Sequence, residues 1–319
     1  MRILITGVAG FAARHFLHFL NEQPHHSEVA GIYNETLPSF DITALPNINI
    51  SLHQIDLLDK EALTTLFNTF NPTHVLHLAG RSSVANSWKA PAVSITDNTN
   101  FFLNIVEIVR LNKLNCRILS VGSTEEYGNA NAGLPLKETD CPEPASPYGV
   151  ARVLQQKLVS IYANSYGVDI MHTRSFNHIG AYQKADYVIA SFAKQVVQQS
   201  KSNTDTISLV TGDVNVMRDF SDVRDVVRAY YLLLQKGEKG ETYNVCSGKG
   251  FWLKDIITML AETIGKPIHH TTDPNNFRPS ENKVIVGSYD KLYQQTGWQP
   301  QYNMEAILKN IIDYWEGVL

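Results

Sequence analysis

Apolar residues in this chain fall into short, β-branched blocks separated by longer stretches with helical spacing. ArgIleLeuIleThrGly (2–7), GluValAlaGlyIleTyr (28–33), a third block ending at Asp56, HisValLeuHisLeuAlaGly (74–80), CysArgIleLeuSerValGly (116–122) and AspIleMetHisThrArgSerPhe (169–176) each read as a buried strand. Blocks that are apolar on both faces suit a parallel sheet covered on both sides. Helical patterns fill the gaps at 11–20, at about 96–111 and from Tyr148 onward. This alternation predicts an α/β fold, a Rossmann-type doubly wound parallel sheet, with a ligand lying across the carboxyl ends of the strands. Beyond residue 174 the alternation loosens, and the chain closes with GlyTrpGlnPro (297–300) and an amphipathic helix to about Gly317. We expect a dinucleotide-binding domain over 1–173, with a return segment near 206–235, and a smaller C-terminal substrate-binding α/β lobe over most of 174–319.

Composition narrows the class. At 319 residues and 44% hydrophobic, the chain can bury a sizeable core, and 18% charged residues is ordinary for a globular protein. The net charge of −4 comes without any basic block, so nucleic acid is not an expected partner. No apolar stretch reaches membrane-spanning length and the first residues read as a strand, so a cytoplasmic protein with no membrane partner is expected. Cys116, Cys141 and Cys246 share no metal or redox spacing; Cys116 and Cys246 sit in strand-like blocks and read as buried thiols in a reducing compartment. The pairs His25–His26 and His269–His270 are sequence neighbours that point apart on a strand, and no metal site is expected.

The candidate chemistry sits at the ends of the blocks. The first strand runs into Gly7-x-x-Gly10-x-x-Ala13, with Phe11 and Ala12 opening a helix. The first glycine permits a tight turn, the second lets a pyrophosphate approach the backbone, and the third position needs only a small side chain. The second block ends in Tyr33, Asn34 and Glu35, neither plainly acidic nor basic, which leaves NADP(H) and NAD(H) both open; Arg14 reads as a solvated helix arginine. The fourth block ends in the small residues Ala79 and Gly80 after Leu78, a surface for a cofactor to lie against. The fifth block delivers Ser123, followed by Thr124 and Glu125, and Tyr148 and Arg152 stand at i,i+4 on one helix face. A hydroxyl that fixes a substrate oxygen, a phenol that gives or takes its proton, and a cation that favours the phenolate make a proton-transfer set. A proline-rich loop at 129–147 is expected to lie over the site. Arg218 and Arg278, well separated in sequence, suit a diphosphate, although an arginine–aspartate pair is the plainer reading of Arg218 and Arg224.

These features, together with ValGlySerThrGluGluTyrGly, SerProTyrGlyVal, ThrArgSerPheAsnHisIleGly, ArgAspPheSerAspValArgAsp, TyrAsnValCysSerGly and ArgProSerGlu, resemble the extended short-chain dehydrogenase/reductase family, in its nucleotide-sugar branch. The nearest groups within it are the GDP-4-dehydro-6-deoxy-D-mannose reductases, then the GDP-mannose 4,6-dehydratases. The resemblance implies an NAD(P)-dependent oxidoreductase that reduces the 4-keto group of a GDP-linked 6-deoxyhexose, with dehydration or epimerisation as the alternatives. It implies catalytic roles for Ser123, Thr124, Glu125 (the dehydratase acid position), Tyr148 and Arg152. It implies cofactor contacts at Asp56, Leu57 and Asn98 besides the residues above, and substrate contacts at Arg81, Ser82, Ser83, Asn177, Arg218, Arg278 and Glu281. It also implies a homodimer formed through the tyrosine-bearing helix. The departures are Ala13 for a common glycine, Ala181 for a common proline, and Arg152 for the family lysine. Guanidinium keeps the charge but is planar, bulkier and does not lose its proton. A nucleotide-sugar-binding protein with impaired catalysis is therefore the rival reading from another class.

Overall fold

The computed structural model describes residues 1–129, 134–202, 204–273 and 282–319. In chain order the strands are β1 (Arg2–Thr6), β2 (Ser27–Tyr33), β3 (Ile48–Gln54), β4 (His74–His77), β5 (Arg117–Val121), β6 (Ile170–Ser175), β7 (Asn177–Ile179), β8 (Ile207–Thr211), β9 (Met217–Asp222), β10 (Thr242–Val245), β11 (Gly250–Trp252), β12 (Ile268–Thr272) and β13 (Val284–Ile285). The helices are α1 (Phe11–Asn21), α2 (Lys60–Phe70), α3 (Val84–Lys89), α4 (Pro91–Leu111), α5 (Pro147–Tyr166), α6 (Val188–Ser200), α7 (Val223–Lys236), α8 (Leu253–Ile264), α9 (Asp290–Thr296) and α10 (Met304–Val318).

A seven-stranded sheet in the order β10-β6-β5-β4-β1-β2-β3, parallel at every pairing, carries the first half of the chain. The doubly wound fold expected from the alternation is present. Side chains alternate across it: Ile3 and Ile5 face α1 and α7, while Leu4 faces α2, α4 and α5. That two-sided burial is why the strands read as unbroken apolar blocks. The strand order reverses between β1 and β4, so a crevice opens there at the carboxyl ends.

After β6 the chain builds a second core from α6, β8, α8 and α10. It returns to the sheet with α7, packed under β1, and with β10 at the edge beside β6. Two boundaries differ from expectation. The long helix α4 starts at Pro91, because proline at the first turn sacrifices no helical hydrogen bond, and Asn98 consequently lies inside the helix rather than at its start. The third strand ends at Gln54, with Asp56 in the turn beyond. Cys116 and Cys246 are buried free thiols. Among the described residues no helix is long and apolar enough to cross a membrane, and no His, Cys, Asp and Glu cluster could hold a metal.

Candidate active site

The first half of the site is a turn made from missing side chains. Gly7 has φ of 72°, in the left-handed region, and a Cβ there would stand 3.0 Å from Ala79 Cα. The Gly7 and Val8 amides both donate to the Ile32 carbonyl, and the Gly10 amide donates to Gly7. Gly10 then caps α1 in an extended conformation, with no side-chain cap and no acidic residue in the first turn. The amides of that turn are left for an anion, which the helix dipole also favours. This is what a dinucleotide pyrophosphate requires, and Ala13, buried in the core at the third position, is small enough for the helix to pack closely on the sheet. Tyr33 closes β2 and exposed Asn34 follows. Arg14 departs from the solvated reading: its guanidinium lies 3.3 Å from the Tyr182 ring centroid and 5.3 Å from that of Phe40. Asp56 is exposed, with one oxygen accepting the Leu58 amide, and Leu57 is buried beneath it. Leu78, Ala79 and Gly80 are half-buried at the exit of β4.

The second half is a turn in which side chains do the work. Ser123 caps the short 3₁₀ turn Thr124–Glu126: its Oγ accepts the Glu125 amide at 3.2 Å, while the Glu126 carboxylate accepts the Ser123 amide at 2.8 Å. Because the Ser123 oxygen accepts this bond, its own hydrogen is left to donate to a substrate oxygen. Thr124 is buried and Glu125 half-buried. Ser146 donates to Glu125 at 3.0 Å and in the same position caps α5 by accepting the Gly149 amide at 3.1 Å. Pro147 then opens the helix, Tyr148 follows, and Gly167 at φ 74° ends it. A Cβ on Gly149 would stand 2.5 Å from the Glu125 carbonyl oxygen, so the helix start lies directly on the serine turn.

Tyr148 and Arg152 are both buried one turn apart, with Arg152 Cζ 5.1 Å from the Tyr148 ring centroid. Arg152 Nη1 donates to Gln155 Oε1 at 2.6 Å and to the Val121 carbonyl at 3.3 Å. Its Nη2 lies against Gly80, where any Cβ would collide with it. The cation therefore reaches the carboxyl end of β4. Burial, and secondarily this charge, push the His77 imidazole down to about 3, so His77 is neutral.

The expected substrate residues are only partly gathered. Thr124, Glu125, Trp88, Arg218 and Asn282 line one cleft. Arg218 is nearly buried and donates to the Met217 carbonyl at 2.8 Å. Asn177 is exposed on β7, and Arg278 and Glu281 lie outside the described residues. Arg81 pairs with Asp97 at 2.6 Å, Ser82 bonds Tyr187, and Ser83 is the cap of α3. Asn98 accepts the Arg81 amide and donates to the Ser94 carbonyl, ordering the loop that leaves β4. The aspartates of the 218–225 motif act as staples. Asp219 accepts from Ser247, Gly248 and Gly287, although burial raises its carboxyl to about 6. Asp222 caps α7 and pairs with Arg224, as the plainer reading had it. The proline-rich loop supplies Ala145 and Ser146 to the cleft and is pinned by Leu136 to Val286 and Ser288.

Sequence reasoning missed a row of polar residues beneath both turns. Thr6, His77, Ser120 and His172 are register partners across β1, β4, β5 and β6. Thr6 Oγ1 bonds His77 Nδ1 at 2.8 Å, Ser120 Oγ bonds His172 Nδ1 at 3.0 Å, and His172 Nε2 reaches Glu126 at 3.1 Å. Arg174 faces the other Glu126 oxygen at 3.6 Å. The signal was present: a polar residue interrupts each of these apolar blocks.

The family model described as GDP-mannose 4,6 dehydratase matches residues 4–311. Among curated relatives, the GDP-6-deoxy-D-mannose reductase of Pseudomonas aeruginosa is 32% identical over 316 residues, covering 99% of this chain and 97% of that one. The solved structure of RMD from Pseudomonas aeruginosa complexed with NADPH superposes with a TM-score of 0.85 at 30% identity, covering 100% of this chain and 99% of that one. The UDP-glucose 4-epimerase of Thermus thermophilus in complex with NAD gives 0.83 at 27% identity, covering both chains fully. With the parallel sheet, the uncapped glycine turn and the serine–tyrosine face together on one crevice, the chain belongs to the GDP-mannose 4,6-dehydratase family of extended short-chain dehydrogenase/reductases, enzymes that modify nucleotide sugars.

Proposed function

We propose that this enzyme reduces the 4-keto group of a GDP-linked 4-keto-6-deoxyhexose, converting GDP-4-dehydro-6-deoxy-D-mannose to GDP-D-rhamnose. The observation that carries the reading is the buried Tyr148–Arg152 face set directly on the Ser123 turn, beside a cleft shared by Thr124, Glu125 and Arg218. The full-length similarity to a GDP-6-deoxy-D-mannose reductase supports the choice of substrate. NADPH or NADH, bound at Gly7, Gly10, Phe11 and Ala12 with its adenosine toward Tyr33, Asn34, Asp56 and Leu57, supplies a hydride for C4. Tyr148 gives its phenolic proton to the C4 oxygen, and Ser123 donates a hydrogen bond to the same atom with Thr124 beside it. Arg152 holds positive charge against the phenolate left behind. Residues 1–173 with α7 and β10 hold the cofactor, and the remainder, through Asn177, Arg218, Arg278 and Glu281, holds the nucleotide diphosphate, with Arg81, Ser82 and Ser83 toward the sugar. The test is oxidation of NADPH or NADH in the presence of GDP-4-dehydro-6-deoxy-D-mannose; no oxidation with either cofactor sinks the reading.

Glu125 in the same cleft favours one rival, a GDP-mannose 4,6-dehydratase. That enzyme turns over GDP-mannose with no net cofactor consumption, and Glu125→Gln abolishes it while largely sparing a reductase. The rival in which Arg152 disables catalysis predicts that Arg152→Lys creates activity; the partners of Arg152 favour an adapted residue, for which Arg152→Lys lowers turnover. A second copy of the chain is the partner we propose for the exposed apolar stripe Val150, Leu154 and Ile161 on α5, with Val93 on the adjoining α4. Leu154→Glu then yields a monomer in sedimentation. Free thiols and a nicotinamide cofactor suit a cytoplasmic enzyme.

A further inference from the structure

A buried cation needs partners, and the partners of Arg152 lead away from the substrate into the sheet. Arg152 Nη1 donates to Gln155 Oε1 at 2.6 Å, and Gln155 Nε2 donates to Ser120 Oγ at 2.6 Å. Ser120 stands 3.0 Å from His172 Nδ1, and His172 Nε2 stands 3.1 Å from Glu126 Oε1. Gln155, Ser120, His172 and Glu126 all have 0% exposure. The guanidinium fixes the orientation of the Gln155 amide, since a flipped amide would set N–H against N–H. The amide then donates to Ser120, leaving the serine hydrogen to donate to Nδ1 and the Nε2 hydrogen to donate to the carboxylate. Every bond runs the same way, from the Arg152 cation to the Glu126 anion, an arrangement in which each bond polarises the next. Both ends touch catalytic parts: Arg152 lies under Tyr148, and Glu126 accepts the Ser123 amide at 2.8 Å. Glycines make room at both ends, because a Cβ on Gly80 would collide with Arg152 Nη2 and one on Gly122 with Glu126 and His172.

We infer that Gln155 is a positioning residue that adapts this active site to arginine, holding the Arg152 guanidinium through a buried chain by Ser120 and His172 to Glu126 and so keeping it in register with the Ser123 turn. The inference rests on the reading of Tyr148 as the proton-transfer group. The charged and titratable groups around Tyr148 and Arg152 are neutral His77 on β4, Tyr230 on α7, whose phenol burial keeps protonated, and the His172, Glu126 and Arg174 cluster. Nη1 holds both Gln155 and Val121 while Nη2 lies against Gly80, and a lysine ammonium has no second nitrogen with which to fill both places at once.

The test is a double-mutant cycle on the full-length enzyme, with melting curves and NADPH binding as the check on folding. Gln155→Leu lowers kcat roughly 10- to 100-fold, the scale of a misplaced catalytic group, and leaves the nucleotide-sugar KM within about twofold. In an Arg152→Lys background the same change alters kcat by less than about twofold, because the chain it breaks is already gone. Gln155→Glu keeps the shape, carries the test if the leucine variant does not fold, and sets a carboxylate against the guanidinium. It moves the limb of kcat/KM against pH set by the tyrosine to more alkaline pH, by on the order of one unit. Equal losses from Gln155→Leu in both backgrounds, or an unmoved limb in Gln155→Glu, overturn the inference. Turnover surviving in Tyr148→Phe instead overturns the reading of the site on which it rests.

Discussion

Two turns follow two parallel strands of one sheet and are built on opposite principles. The turn after β1 has glycine at both critical positions, an uncapped helix start and amides left unspent. The turn after β5 has a capping box in which both side chains accept backbone amides, so that those amides are spent, and it presses on the next helix. A hydroxyl–histidine pair underlies each of them. Under the glycine turn, Thr6 holds His77, whose Nε2 finds no hydrogen-bond partner among the described residues. Under the serine turn, Ser120 holds His172, and the chain continues to Glu126. A site for a ligand's phosphates keeps its donors free. A site that must hold reacting side chains within a fraction of an ångström commits its donors internally.

Four measurements sharpen or break that contrast. The largest effect is expected at Glu126→Gln, which removes the charge that faces His172 and Arg174 and turns one of the two acceptor oxygens shared by His172 and the Ser123 amide into an N–H donor. Breaking so buried a pair costs about 3 kcal/mol, read from the urea midpoint; a cost under 1 kcal/mol would mean that the serine turn is not held from beneath. Ser123→Ala comes next. It lowers kcat roughly 100-fold, while the lost cap costs only about 1 kcal/mol of stability. A loss of stability without loss of turnover would reduce Ser123 to a cap.

The third measurement concerns His77. Its folded value near 3 lies below the ordinary 6.5, so the unfolded chain binds a proton that the folded chain refuses. The stability it contributes is complete above about pH 6.5 and is lost as pH falls toward 3, about 2 kcal/mol by pH 5. His77→Asn is less stable at neutral pH, but its slope between pH 7 and 5 is shallower by that amount. An unchanged slope would assign the acid sensitivity to other groups. The smallest effect is expected at Gly10→Asp, which gives α1 the cap it lacks. The new carboxylate takes the free amides, so NADPH binds roughly tenfold more weakly while the melting temperature holds or rises. Unchanged NADPH affinity would show that those amides do not serve the cofactor.

Much of this was legible in the chain. The apolar blocks, Gly7 and Gly10 between strand and helix, and the Ser123, Tyr148 and Arg152 spacing are local patterns, set by steric demands within a few residues or by helical periodicity. Arg14 was misread because its surroundings come from elsewhere in the chain, where Tyr182 closes over it; only the place of Asn98 in its helix was misjudged, because the helix begins earlier, at Pro91. Arg152 shows the limit most clearly. Read along the chain it was a departure, a bulkier cation at the position of the family lysine, with a catalytic role expected and impaired catalysis as the rival reading. Its partner Gln155 lies three residues on, but the chain it begins passes through Ser120, His172 and Glu126.

The sequence by itself determined a doubly wound parallel sheet, the glycine turn and the residues on the tyrosine face, because covalent sterics and hydrophobic periodicity act locally. Only the tertiary structure decided how Arg152 is held and how the serine turn is braced from beneath. Those properties depend on hydrogen bonds between strands that are adjacent only after the sheet has formed, in a dry interior where an unpaired polar group costs more than it does in water.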